Sequence, residues 1–200
     1  TGGGRIGLAI MLLSGWCAAA VQAQPLPRPD HIVIVVEENQ RYQQIIGNRD
    51  APYINALAER GALFTQSYGV THPSQPNYLA LFSGSTRGIR SNACPLELSG
   101  DNLASALLAK GLSFASYSES MPEPGFEGCV YGAYQRKHNP AANWKELAPF
   151  NLPFTSFPQD YSQLPAVSLV IPDQLDDMHD GSIARGDAWL AERIGPYAQW

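Results

Sequence analysis

Two hundred residues with 44% hydrophobic and 16% charged side chains are enough for one sizeable core and too apolar for a disordered chain. The formal charge of -5 argues against nucleic acid or an anionic membrane surface as the main partner.

The chain opens with Arg5, the apolar run Ile6–Leu13 and small residues up to Ala23, the pattern of a secretory signal peptide. No initiating Met precedes it, so residues 1–23 are read as a signal clipped at its front, with cleavage after Ala23. A membrane anchor would need about 20 apolar residues, and Ser14, Gly15 and Gln22 interrupt this stretch. Cleavage removes Arg5 and Cys17, leaving 12 basic against 18 acidic side chains, a formal charge of -6. The remaining Cys94 and Cys129 form an even pair in an exported chain, which predicts a disulfide.

His31–Val36 is a continuous β-branched run that predicts a strand buried on both faces of a parallel sheet, ending in Glu37-Glu38-Asn39. A helix is predicted over 53–60 with Gly61 as its stop, and Ala62–Tyr68 reads as extended. The stretch Thr71–Tyr78 follows, with Pro73 and Pro76 stiffening it, so Ser74 is expected in a loop just ahead of a helix at 78–82. Asp101 and Asn102 cap a helix over 103–110, Gly111 ends it, and Leu112–Tyr117 reads as a second strand. Residues 119–158 lack periodicity and are read as a long structured insertion. Ala166–Ile171 is a third strand, followed by the acidic stretch Asp173–Asp180 and an amphipathic helix over 183–194, capped by Asp180 or Ser182.

Strands alternating with helices imply an α/β layered sheet, whose ligands gather at the carboxyl ends of the strands. Glu38 and Asn39 at one such end offer a carboxylate and a carbonyl oxygen suited to a hard divalent cation, or form a solvated strand end. Ser74 faces the free N–H groups of a helix start, which suits a phosphate, although Ser74 or Asn77 equally serves as a helix cap. Asp176–Asp180 mixes carboxylates with His179, for a metal, a charged substrate or a cap. Arg136–Pro140 places basic groups, His138 among them, where a phosphate or plain solvent could meet them.

Taken together, Val36–Tyr42, Ser74–Tyr78, Tyr134–Pro140 and Ile171–Gly181 resemble the bacterial phosphoesterase family. That family groups secreted acid phosphatases with phospholipase C-like enzymes inside the alkaline phosphatase superfamily, and the likeness spans about residues 31–200. It implies an alkaline phosphatase-like layered fold, a central sheet flanked by helices. It also implies Glu38 and Asn39 as metal ligands, and Ser74 as a nucleophile that touches the metal. Asn77 would hold a phosphoryl oxygen, Asp177 and His179 contact metal or phosphate, and His138 assists the leaving group. The implied cofactor is a divalent metal ion of unspecified identity and number.

In the family pattern a further strand bearing acidic ligands follows, so the resemblance makes 24–200 the N-terminal part of a single phosphoesterase domain, incomplete at its C-terminal end. Such a piece is expected to leave a sheet edge exposed near Ala166–Ile171 and to be a poor enzyme. The expected function is a periplasmic or secreted phosphomonoesterase of acid phosphatase type, working through a phosphoserine on a small phosphate ester. A phospholipase C-like phosphodiesterase is the alternative, with membrane lipid only as substrate and Tyr131, Tyr134, Trp144, Phe150, Phe154 and Phe157 as a lipid-facing surface or plain core. A non-catalytic anion-binding module is the third reading.

Overall fold

The computed structural model describes Thr1, Gly3 and residues 28–200. The signal segment and its cleavage at Ala23 fall outside the described residues, Thr1 and Gly3 apart. Among the described residues no helix is long and apolar enough to cross a membrane.

Four strands, β1 (Ile32–Val35), β2 (Phe114–Ser118), β5 (Asn151–Pro153) and β6 (Val167–Ile171), form one parallel sheet in the order β1-β6-β2-β5. Ile32 lies opposite Val167, Phe114 opposite Val167, and Ser116 opposite Asn151. Because every pairing is parallel, all four strands deliver their carboxyl ends to the same side of the molecule. A small hairpin, β3 (Val130–Tyr131) with β4 (Tyr134–Gln135), stands apart from that sheet.

Side-chain alternation divides the core into two layers. Phe114, Leu169 and Ile171 face Tyr78, Leu79 and Phe82 of helix α3 (Ser74–Ser83), together with Trp144 and Leu147. Tyr117 and Val170 face the other way, toward Trp189, Leu190 and Ile194 in and after helix α5 (Ile183–Arg193), with Ile54 and Leu57 of α2 (Pro52–Arg60) alongside. Helices α1 (Tyr42–Ile45), α4 (Leu103–Leu108) and α6 (Gly195–Gln199) complete the set. The buried Asp187 of α5 accepts the backbone N–H groups of Tyr53 (3.0 Å) and Ile54 (2.8 Å), satisfying free donors at the start of α2 and complementing its dipole. Asn102 and Ser182 cap α4 and α5 as predicted.

Four expectations are corrected. β6 is buried at every position and interior to the sheet, so the sheet edges lie at β1 and β5. For the same reason β1 is only partly buried rather than covered on both faces. Residues 62–68 form no strand: all are exposed, and no described strand runs beside them to satisfy an extended backbone. Ser74 is the first residue of α3, with Pro73 as N-cap, because Pro76 is tolerated in the first helical turn.

The 119–158 stretch is ordered by specific polar ties and a crosslink, which carry no periodic signature. Arg136 donates to the carbonyls of Leu96 (2.8 Å), Ala142 (2.8 Å) and Glu127. Asn139 Nδ2 donates to Asn151 Oδ1 at 2.8 Å, next to the sheet edge formed by β5. Cys94 and Cys129 are joined with Cα atoms 5.9 Å apart, as predicted. Tyr134, Trp144 and Phe157 are buried core residues and not a lipid-facing surface, whereas Tyr131 is exposed.

Candidate active site

The ends of β1 and β6, the start of α3 and the turn 136–138 converge on one cluster. The loop after β6 doubles back so tightly that a Cβ at Gly181 would lie 1.8 Å from the Leu175 carbonyl, and one at Gly186 2.5 Å from Met178 Cγ. Met178 itself is buried with a φ of 74°. This folding brings the Asp177 carbonyl to the Glu38 N–H at 2.8 Å and the Met178 carbonyl to Gln40 Nε2 at 2.9 Å, tying the two strand ends together.

Glu38 is the hub. Ser74 Oγ donates to Glu38 Oε1 at 3.0 Å. His138 Nε2 lies 2.6 Å and His179 Nε2 3.5 Å from that same oxygen. Behind His138, the fully buried Asp177 places Oδ2 2.9 Å from His138 Nδ1 and accepts the His179 N–H on Oδ1 at 2.7 Å. His179 Nδ1 is 2.7 Å from Asp180 Oδ1. Tyr78, one turn along α3 from Ser74, stacks on His138 with ring centroids 5.1 Å apart.

Burial works against the Glu38 carboxylate, yet the close imidazole of His138 with its charge, and the hydrogen bond from Ser74, hold its pKa below the ordinary value. Burial likewise opposes a charged His138, and the carboxylates of Asp177 and Glu38 overcome it, raising the imidazole. The two His138 contacts are short but poorly directed, and His138 Nε2 and Asp177 Oδ2 stay buried without an aligned hydrogen-bond partner. Glu37 differs sharply from its neighbour. Both its carboxylate oxygens are buried and unpartnered, and burial followed by Asp177 and other acids pushes it up to about 9.

One ligand atom each from Glu38, His138 and His179 lies within 4.8 Å of the others. A carboxylate oxygen with imidazole nitrogens, each ring backed by a second carboxylate, is a donor set that fits a divalent cation. The orphaned His138 Nε2 facing Glu38 supports that fit. Of the expected ligands, Glu38 and His179 are in this group, and Ser74 reaches it through Glu38. Asp177 lies behind His138 rather than in the group, and Asn39 is exposed with a φ of 67°. Asn77 braces the loop before Ser74: Oδ1 accepts the Thr71 N–H (3.0 Å), and Nδ2 donates to the carbonyls of Thr71 (2.6 Å) and Pro73 (3.0 Å).

Sequence reasoning did not place His138 among the metal candidates, nor did it single out Tyr78 or the buried carboxyl of Glu37. The i, i+4 spacing of Ser74 and Tyr78 on one helix face was the available signal for the second. A further acidic group, Glu119, Asp173 and Asp176, is also close-set. Its members already have donors, from Trp189 Nε1 (2.7 Å), Ser120 Oγ (2.7 Å) and Arg185 Nε (2.6 Å) respectively, and so fasten the loops together. Glu38, Asn39, Ser74 and Asn77 open onto a groove of about 1380 Å³.

A family model described as the Phosphoesterase family matches residues 47–200, starting past Asn39. The chain is 47% identical over 201 residues to a phosphatidylinositol-3-phosphatase of Mycobacterium tuberculosis, covering 96% of this chain and 67% of the relative. It is 32% identical over 177 residues to an acid phosphatase of Aspergillus fumigatus, covering 80% of this chain and 38% of that one. A probable acid phosphatase of Kluyveromyces lactis is 30% identical over 186 residues, with 82% and 42% covered. The chain thus spans about two thirds of the bacterial relative and under half of the fungal ones. By these matches, and by a parallel sheet that gathers its polar clusters at the strand ends, the chain belongs to the Phosphoesterase family, whose members are hydrolases of phosphate esters.

Proposed function

We propose that this chain carries the nucleophile and metal ligands of an exported, divalent-metal-dependent phosphoesterase that hydrolyses phosphate monoesters through a phosphoserine at Ser74. The observation that carries the reading is the Ser74 Oγ to Glu38 Oε1 hydrogen bond of 3.0 Å, at the first residue of α3 and beside the Glu38, His138 and His179 group. Glu38, His138 and His179 would hold the cation, with Asn39 and Ser74 as the further ligands that the family resemblance implies. Once bound, it would supply positive charge that favours a Ser74 alkoxide and offsets charge on the phosphoryl group.

The chain's own groups do the rest. Glu38 accepts the Ser74 hydrogen bond and aligns Oγ, whose proton passes to solvent, while Asp177 and the stacked Tyr78 hold the His138 ring against Glu38. At the start of α3 the Gln75 N–H donates to Asn92 Oδ1 at 3.0 Å and Pro76 has no N–H, so the incoming anion meets the positive end of the helix dipole rather than a set of free donors. Oγ forms the new bond to phosphorus, the ester oxygen departs and takes a proton from solvent, and water then releases phosphate from Ser74. Asn77 keeps the loop in shape, and a direct phosphoryl contact by its Nδ2 would exchange for one of its two carbonyl partners.

A second reading is favoured by the exposed Tyr68, Val70 and Leu81 that line the groove, since apolar walls suit a phosphate ester on a lipid. The name of the mycobacterial relative points the same way. A phospholipase C-like diesterase and a non-catalytic anion-binding module remain as alternatives that one assay sorts. Hydrolysis of an aryl phosphate, an aryl phosphodiester and a phosphoinositide vesicle is compared before and after chelation and metal return. Metal-restored turnover of the monoester, lost on the order of 10⁶-fold in Ser74→Ala, supports the proposal. Phosphate binding without turnover under any divalent metal refutes it.

A further inference from the structure

We propose that Lys137 is a specificity-determining residue: its ammonium recognises the second negative charge of a phosphate monoester and so favours monoesters over diesters. This rests on the phosphoesterase reading of the site.

The turn Arg136–His138 carries two cations with different surroundings. Arg136 is buried, and its guanidinium is occupied by the carbonyls of Leu96, Ala142 and Glu127, so it holds the fold and has nothing left for a ligand. Lys137 is half-buried, and its Nζ lies 3.4 Å from His179 Nε2. That nitrogen is 3.5 Å from Glu38 Oε1, the oxygen to which Ser74 donates. Two contacts therefore connect the ammonium to the carboxylate beside the nucleophile.

Among the described residues no carboxylate oxygen comes within 4.0 Å of Lys137 Nζ. Arg185, in contrast, is engaged by Asp176 through Nε at 2.6 Å and a second nitrogen at 3.1 Å. An ammonium has three donors and no acceptor; at most one of them meets His179 Nε2, and none does once that nitrogen holds the cation. At least two donors are left on a partly desolvated cation, on a stem long enough to meet an anion at Ser74. A monoester phosphoryl group carries close to two negative charges near neutral pH and a diester carries one, so a fixed ammonium at this place separates the two classes.

The test uses Lys137→Met and Lys137→Arg in the full-length protein. It reads kcat/KM for an aryl phosphate and a bis-aryl phosphate, inhibition by inorganic phosphate, metal content and Tm. Loss of one charge-assisted hydrogen bond predicts, in Lys137→Met, about 10- to 100-fold weaker inhibition by phosphate and a similar rise in monoester KM. The diester should lose far less, metal content and Tm should match wild type, and Lys137→Arg should recover part of the preference. An unchanged monoester-to-diester ratio and unchanged phosphate inhibition in Lys137→Met would overturn the Lys137 role alone, and so would loss of bound metal, which marks a structural lysine. If Lys137→Met fails to fold, Lys137→Gln carries the same comparison. Hydrolysis of neither ester by wild type would remove the phosphoesterase reading, and the Lys137 role with it.

Discussion

Glu38 accepts from a serine hydroxyl and faces two imidazoles, whereas the next carboxylate, Glu37, is buried among acids with no partner. The first is held ionised and the second is pushed up to about 9, so identical side chains one position apart have opposite charge states at neutral pH. Glu38→Gln should therefore lower metal content and turnover together, because it removes both a charge and a strong oxygen donor. Elemental analysis alongside the rate checks this, and unchanged values of both would reduce Glu38 to a strand terminus. For Glu37 the folded state keeps its proton over a range where the unfolded chain has lost it. In metal-free protein this makes a contribution to stability that is present below the ordinary pKa of 4.5 and declines as pH rises toward about 9. Glu37→Gln, a neutral mimic, should flatten that part of the pH–Tm curve and change activity much less than Glu38→Gln. At this scale the residue types were legible, since Glu38, Ser74, His138 and His179 all stand in short motifs. What sequence could not give was depth: Asp177 and His179 are two positions apart, yet one lies behind His138 and the other faces the cation donors.

Helices α2, α3, α4 and α5 and the central strands were legible because their signals are local, whereas the short α1 and α6 were not anticipated. Periodic apolar residues, the Asn102 and Ser182 caps and the Val- and Ile-rich stretch of β6 all report on neighbours within a turn or a pleat. Two stretches were not legible for opposite reasons. Residues 62–68 have strand composition but no strand alongside, and a strand is a property of a pair. The 119–158 stretch has no period, yet it contributes β5, His138 and Lys137, held by the Arg136 and Asn139 ties and by the Cys94–Cys129 bridge. That bridge spans a sequence separation of 35, for which chain entropy predicts about 4 kcal/mol of stabilisation. Urea unfolding with and without reductant should show a loss of that order, together with loss of activity as the turn bearing His138 loosens. Equal midpoints in the two conditions would mean that the polar ties alone order the stretch.

At the scale of the whole molecule, one parallel sheet sets the direction of its four strands, so Glu38 and the Asp173–Asp180 loop had to emerge on the same side once the topology was chosen. The start of α3 and the turn 136–138 complete the cluster from the layer above. The central claim is that Ser74 is the covalent nucleophile of this assembly. Acid-quenched turnover of an aryl phosphate by the full-length protein, followed by peptide mass mapping, tests it most directly. The account predicts one phosphoryl group on the peptide containing Ser74, formed during turnover and absent from Ser74→Ala. Sustained turnover with no phosphoryl group on the protein at any quench time, or with the group on another residue, would contradict it.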